Sequence, residues 1–106
     1  MIITSVSLVQ PVAANYVVST ISTNTQAIKN TLYVFTANLT LTLPATPSDG
    51  DSIKISNLST VATCVLARNG SLIMGSGTDL TLNNAAASFE LIYSGSTKGW
   101  VIIGPQ

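Results

Sequence analysis

The glycine-rich segment RNGSLIMGSGTDLTL, residues 68–82, contains the residue types from which phosphate-binding and catalytic loops are built. Its candidate functional residues are Gly70, Ser71, Gly75, Ser76, Gly77 and Asp79. A dinucleotide-binding loop needs a third glycine three residues after a G-x-G pair, where a helix begins. Here that position is Leu80, and the residues after it alternate as a strand does. The chain also has no Gly-Lys pair for a phosphate loop, so the segment does not predict a phosphate site.

Nucleophilic catalysis is the second chemistry that the two serines suggest. A serine or cysteine nucleophile needs a general base, most often His, and the chain contains no His. A Ser–Lys pair would need Lys54 or Lys98 desolvated beside Ser71 or Ser76, and nothing in the sequence indicates such a pair. The single cysteine, Cys64, lacks a base for the same reason and is predicted to be a small buried hydrophobe. We therefore predict no catalytic residues and no enzymatic activity.

The four acidic residues are the remaining candidates for chemistry. Asp49 and Asp51 flank Gly50, but a hard cation requires six or more oxygen ligands. A D-G turn explains both residues more simply. Asp79 is predicted to accept hydrogen bonds from backbone amides near its turn. A glycosidase would need two carboxyl groups facing each other across a cleft, and two of the four acids already belong to one turn. The sequence predicts no metal site and no cofactor-binding residues.

The elements that would position these residues are predicted by alternation of apolar and polar residues. In NLTLTLP, Leu39, Leu41 and Leu43 share one face and two threonines the other, which is typical of a half-buried strand. The segments DSIKIS, FELIY and WVII repeat this pattern, and LTL at 80–82 continues it. Further strands are predicted at residues 2–9, 16–21, 31–36 and 63–67, with a short one at 72–74.

Turn residues separate these strands at short intervals. Asn69-Gly70 is a strong hairpin signal because both residues tolerate positive φ. PATPSDGD and SGSTKG are further polar turns. Residues 22–32 hold several good helix formers, but an extended chain is an equally good interpretation. No repeat of fixed period is visible. The pattern predicts an all-β fold, a compact antiparallel β-sandwich or β-prism-like domain.

The composition of the chain restricts its possible functions and partners more than any motif does. Only 8% of the 106 residues are charged, against about 25% in ordinary soluble proteins, and the net charge is zero. We expect so uncharged a surface to be covered by further copies of the chain or by a larger assembly, although a monomer with a Thr-rich surface is an alternative. Four scattered basic residues predict no nucleic-acid partner. The absence of an 18-residue apolar run predicts no membrane partner.

The six aromatic residues are the last candidate binding feature. Most of them fall on alternating strands, and Trp100 directly follows Gly99 at the start of one. Aromatic side chains dominate the packing energy of cores and interfaces. We therefore predict that Trp100 packs in a core or an interface, with a sugar-binding platform as the alternative.

The order of the motifs over roughly residues 30–104 resembles a small β-domain common in tailed-bacteriophage virion proteins. In that family an alternating strand ends in L-P, and a G-x-x-I-x-I strand, an N-G turn with a following I-x-G, an L-x-L strand and a strand pair ending in G-W complete the domain. The matching residues here are Leu43-Pro44, Gly50 with Ile53 and Ile55, Asn69-Gly70, Ile73 with Gly75, Leu80 with Leu82, and Gly99-Trp100.

The resemblance implies a structural subunit of a virion, frequently trimeric and without catalytic residues. We expect residues 30–106 to form the virion domain and residues 1–29 an N-terminal arm or extra strands. The small size favours a capsid decoration, or cement, protein, which binds the outer surface of the major capsid protein shell as a homotrimer. The alternative is a tail- or head-fibre module that recognises host surface glycans.

Overall fold

Nine β-strands form the regular secondary structure of residues 16–57, 63–83 and 87–104, which are the residues that the computed structural model describes. The strands are β1 (Val17–Ile21), β2 (Thr25–Gln26), β3 (Thr31–Phe35), β4 (Thr40–Thr42), β5 (Ser52–Asn57), β6 (Cys64–Ala67), β7 (Leu80–Leu82), β8 (Ser88–Tyr93) and β9 (Trp100–Ile103). These ranges contain no helix, which confirms the all-β prediction. Residues 22–32 are extended and turn at Asn30, where φ is +59°. The strand predicted at residues 2–9 lies outside the described residues.

The strands form two mixed sheets. The five-stranded sheet has the order β1-β3-β5-β8-β9, and the four-stranded sheet has the order β2-β4-β6-β7. The first six strands alternate between the two sheets, so each successive pair of strands adds one strand to each sheet. We call one such circuit of the chain through both sheets a coil. Both β1 and β2, which precede residue 30, pair with strands that follow it.

The antiparallel arrangement expected from the sequence is wrong for the first three strands of each sheet. The pairs β1–β3, β3–β5, β2–β4 and β4–β6 are parallel, and only β5–β8, β8–β9 and β6–β7 are antiparallel. The polar turns do not close hairpins there, because they lead to a strand in the other sheet. Parallel neighbours need a crossover connection, and here the crossover is itself a strand of the opposite sheet.

Successive coils differ in length, which explains why no repeat is visible in the sequence. Val17 pairs with Thr31, 14 residues later, whereas Thr31 pairs with Ile53, 22 residues later. The difference lies in the connections, such as the proline-containing turn between β4 and β5.

The apolar side chains of both sheets share one core. In the five-stranded sheet Tyr33, Ile55 and Phe89 occupy one register row and are all buried. In the other sheet the predicted alternation is confirmed, because Leu39, Leu41 and Leu43 are buried around β4. At about 25 cal/mol per Å² of apolar surface, such rows are the main favourable term in folding.

Candidate interaction surface

The glycine-rich segment follows β6 and contains two tight turns. Asn69 and Gly70 have φ values of +51° and +92°, and the Ser71 amide donates to the Arg68 carbonyl at 3.2 Å. These are the angles of the turn that the sequence predicts. Of the two serines considered as nucleophiles, Ser76 accepts at Oγ from the Thr78 amide at 3.2 Å.

The second turn replaces the short strand predicted at residues 72–74. Met74 and Gly75 have φ values of +52° and +78°, and Ile73 and Ser76 exchange backbone hydrogen bonds of 3.0 and 2.8 Å. The chain direction therefore reverses between Ile73 and Ser76, and no further residue pairs follow. In the described residues Ile73 forms isolated bridges and is not part of a strand. Two positive φ values fit a type I′ turn, for which Met-Gly is not a typical sequence signal.

This loop lies along the outer edge of β9. The Trp100 amide donates to the Leu72 carbonyl at 2.8 Å, and the Met74 amide donates to the Trp100 carbonyl at 2.7 Å. The Ile102 amide donates to Met74 Sδ at 3.3 Å. The loop thus takes up edge groups of β9 that would otherwise be free to pair with another strand.

Two of the four acidic residues, Asp51 and Asp79, support turns. Asp79 Oδ1 accepts from the Arg68 amide at 3.0 Å, which confirms its predicted role beside the turn. Asp51 Oδ2 accepts from the Ser48 amide at 2.9 Å, and Lys29 Nζ lies 3.9 Å from its other oxygen. Among the described residues no three His, Cys, Asp or Glu side chains are grouped so as to hold a metal ion.

The cysteine and the tryptophan belong to the core, as the sequence predicts. Cys64 is buried, and Trp100 is fully buried with an edge-to-face contact of 5.4 Å between its ring centroid and that of Tyr93. Trp100 Nε1 has no hydrogen-bond partner in the described part of the chain. A ring in this position cannot serve as a platform for a sugar.

A polar cluster lies on the five-stranded sheet beside the start of β1. The Tyr16 hydroxyl hydrogen-bonds to Ser52 Oγ and donates to Glu90 Oε2 at 3.2 Å. Lys54 Nζ lies 4.2 Å from the centroid of the Tyr16 ring, within range of a cation–π contact. Lys54, which lies on β5, is thus engaged with the Tyr16 ring.

The first coil forms an end of the fold that differs from the β9 end. Within the described residues β1 has a single neighbouring strand, β3, and β2 has only β4. Three of the five large hydrophobic side chains that are exposed lie here: Val17 at 65%, Val18 at 60% and Ile28 at 68%. We call Val17, Val18 and Ile28, together with the outer edges of β1 and β2, the open end. Sequence reasoning missed it, since exposure at an edge depends on which strands have neighbours.

A small apolar cleft lies at the opposite end. It has a volume of about 200 Å³ and is lined largely by Leu80, Leu82, Ala87, Phe89 and Ile102. The four-stranded sheet has one strand fewer than the other. The cleft contains no pair of facing carboxylates, so its lining offers packing surface and no reactive group.

Comparison with protein-family models and with curated proteins finds no match for this chain. The described residues contain no helix long and apolar enough to cross a membrane. The features that the geometry brings together are thus a loop-covered strand edge, an apolar cleft and an apolar open end.

Proposed function

We propose that this chain is a structural subunit of a tailed-bacteriophage virion, a decoration protein that binds the outer face of the major capsid shell as a homotrimer of β-sandwich or β-prism-like domains. The observation that carries the proposal is the composition of the chain: only 8% of its residues are charged, and most of its polar residues are Thr, Ser and Asn. Such a surface is poorly protected against association when free. The ordered turn and strand motifs of residues 30–104 support the same class.

The mechanism follows from mass action. A protein that binds the assembled shell and not its dissociated subunits stabilises the shell by RT ln(1 + [L]/Kd), about 2.7 kcal/mol per site when the free concentration is 100 times Kd. A trimer that contacts several capsid subunits at once adds an effective-concentration advantage, so individually weak contacts suffice. This role requires contact area and no reactive side chain.

The fibre alternative, recognition of host glycans, predicts an exposed cluster of aromatic and Asn or Asp residues at one end of the trimer. All six aromatic residues lie in the described residues. Tyr33, Phe35, Phe89 and Trp100 are buried, and Tyr16 and Tyr93 are half-buried. With no ring in an open position, the decoration role is the better supported of the two.

The experiment is reconstitution on capsids of the encoding phage that have been purified without this chain. We expect saturable co-sedimentation at a fixed ratio to capsid subunits and a higher temperature of capsid disruption. Bovine serum albumin at the same concentration is the control for trapping. Failure to bind, or location of the chain on the tail by electron microscopy of virions, would reject the decoration role.

A further inference from the structure

We propose that the open end is the surface through which copies of this chain associate, with the β1 edge and Val17, Val18 and Ile28 buried against a second copy. This inference rests on the self-association part of the proposed function and assigns it to particular residues. The occupant is another copy of the same chain, which supplies an uncharged β edge and apolar side chains of the same kind.

Among the described residues nothing covers the edge of β1, and this is the first step of the argument. Proteins protect an exposed edge strand with lysine, proline, a bulge or a covering loop. β1 has the sequence VVSTI, with no proline and no charged residue, and the structure places it at the edge of the five described strands. A strand of this composition is a template for pairing with another strand, because its outward N–H and C=O groups need partners.

The contrast with the other end of the same sheet is the second step. There the loop from Leu72 to Gly75 takes up the Trp100 N–H and C=O, and Met74 Sδ accepts from the Ile102 amide. Stacked-strand folds need polar capping units at both ends for solubility. This chain has such a cover at β9, whereas the described residues at β1 leave apolar side chains 60–68% exposed.

The charge distribution favours a second copy as the occupant. The first charged residue in the sequence is Lys29, so residues 16–28 of the open end carry no charge. Two such surfaces meet without electrostatic repulsion and without burying an unpaired charge, which would cost several kcal/mol. A strongly charged partner, by contrast, would find no complementary group among residues 16–28.

The test is the native mass, measured by light scattering on a sizing column, of the full chain and of two double variants. In Val18→Lys with Ile28→Lys, two charges are placed on the open end. In the matched control, Ile103→Lys with Thr81→Lys, the same two charges are placed at β9 and β7, where both side chains are exposed. Far-UV circular dichroism establishes that each variant is folded.

We expect the unmodified chain and the control to have the same oligomer mass, at least twice the 11.0 kDa of the monomer. The open-end variant should have the monomer mass. The dissociation constant should rise on the order of 100-fold, since an unpaired lysine resists burial in an apolar contact. If the lysine variant does not fold, the double variant Val17→Thr with Val18→Thr takes its place in the mass measurement. Threonine keeps the β propensity and removes apolar surface, so this variant should also have the monomer mass.

Three results would overturn the proposal: a monomeric unmodified chain at millimolar concentration, an open-end variant that keeps the oligomer mass, or a control that loses it. Co-sedimentation with capsids separates this inference from the decoration role. Self-association through the open end without capsid binding would reject the decoration role alone. Capsid binding by a chain that is a monomer in solution would reject the open-end interface alone.

Discussion

Replacing Gly99 with alanine is the perturbation that best tests how the loop is held on β9. A Cβ added at Gly99 would lie 2.0 Å from the Leu72 carbonyl oxygen and 2.6 Å from its carbonyl carbon, well inside the 3.0 Å limit for real Cβ contacts. The neighbour is backbone and not the end of a flexible side chain, so it cannot rotate away. Gly99 also has a φ of +73°, a conformation that L-residues adopt at a cost.

The expected loss of stability can be worked out from these contacts. The positive φ costs an alanine about 1–2 kcal/mol. Moving Leu72 aside breaks its 2.8 Å hydrogen bond with the Trp100 amide and strains the 2.7 Å bond from Met74. A buried group left unsatisfied in this way costs about 1–3 kcal/mol. The sum is about 2–5 kcal/mol, a large part of the ~5–15 kcal/mol that holds a domain folded.

Urea unfolding followed by circular dichroism at one fixed protein concentration measures this loss. Gly50→Ala is the matched control: its φ is +91°, yet nothing lies within 4 Å of the added Cβ. The control should lose only the cost of the backbone conformation, about 1–2 kcal/mol. Equal losses in the two variants would refute the argument that close approach to Leu72 makes Gly99 necessary.

Two further substitutions test single contacts, and both are measured by the same urea unfolding. Trp100→Phe should lower the free energy of unfolding by less than about 1.5 kcal/mol, because it removes a buried N–H that has no partner in the described residues. Leu91→Ala, at an equally buried site, should lower it by about 2–5 kcal/mol. A larger loss in Trp100→Phe than in Leu91→Ala would contradict this reasoning. Asp79→Ala should cost about 1 kcal/mol by removing the acceptor of the Arg68 amide, and Asp79→Asn, which keeps an acceptor oxygen, should cost less than half as much.

Alternation in the sequence predicted which side chains are buried, because burial on a strand is a local property with a period of two. Leu39, Leu41 and Leu43 are all buried, and the turn at Asn69-Gly70 has the expected φ values. Local signals of this kind extend over a few residues, and they identified most strands that the structure describes.

The pairing of the strands could not be predicted in this way. Whether β1 lies beside β2 or β3 depends on the path between them, and the coil from Val17 to Thr31 has a different length from the next coil. The turn at Met74-Gly75 is similarly set by its docking on β9, where Trp100 and Ile102 provide hydrogen-bond partners. Tertiary contacts hold Met74 at positive φ, which its sequence alone disfavours.

The difference between the two ends of the sheet has a consequence for any assembly built through the open end. A stack that is open at both ends adds copies without limit and forms a fibre. Here the loop at residues 72–75 already occupies edge groups of β9, so a second copy cannot extend the sheet there by the same pairing. If β1 edges pair with each other, the contact is isologous and closes as a twofold pair, whereas a homotrimer requires the open end of one copy to contact a different part of the open end of the next copy. The proposed decoration role needs a closed unit of either kind, because an open-ended assembly would polymerise in solution before it reached the shell.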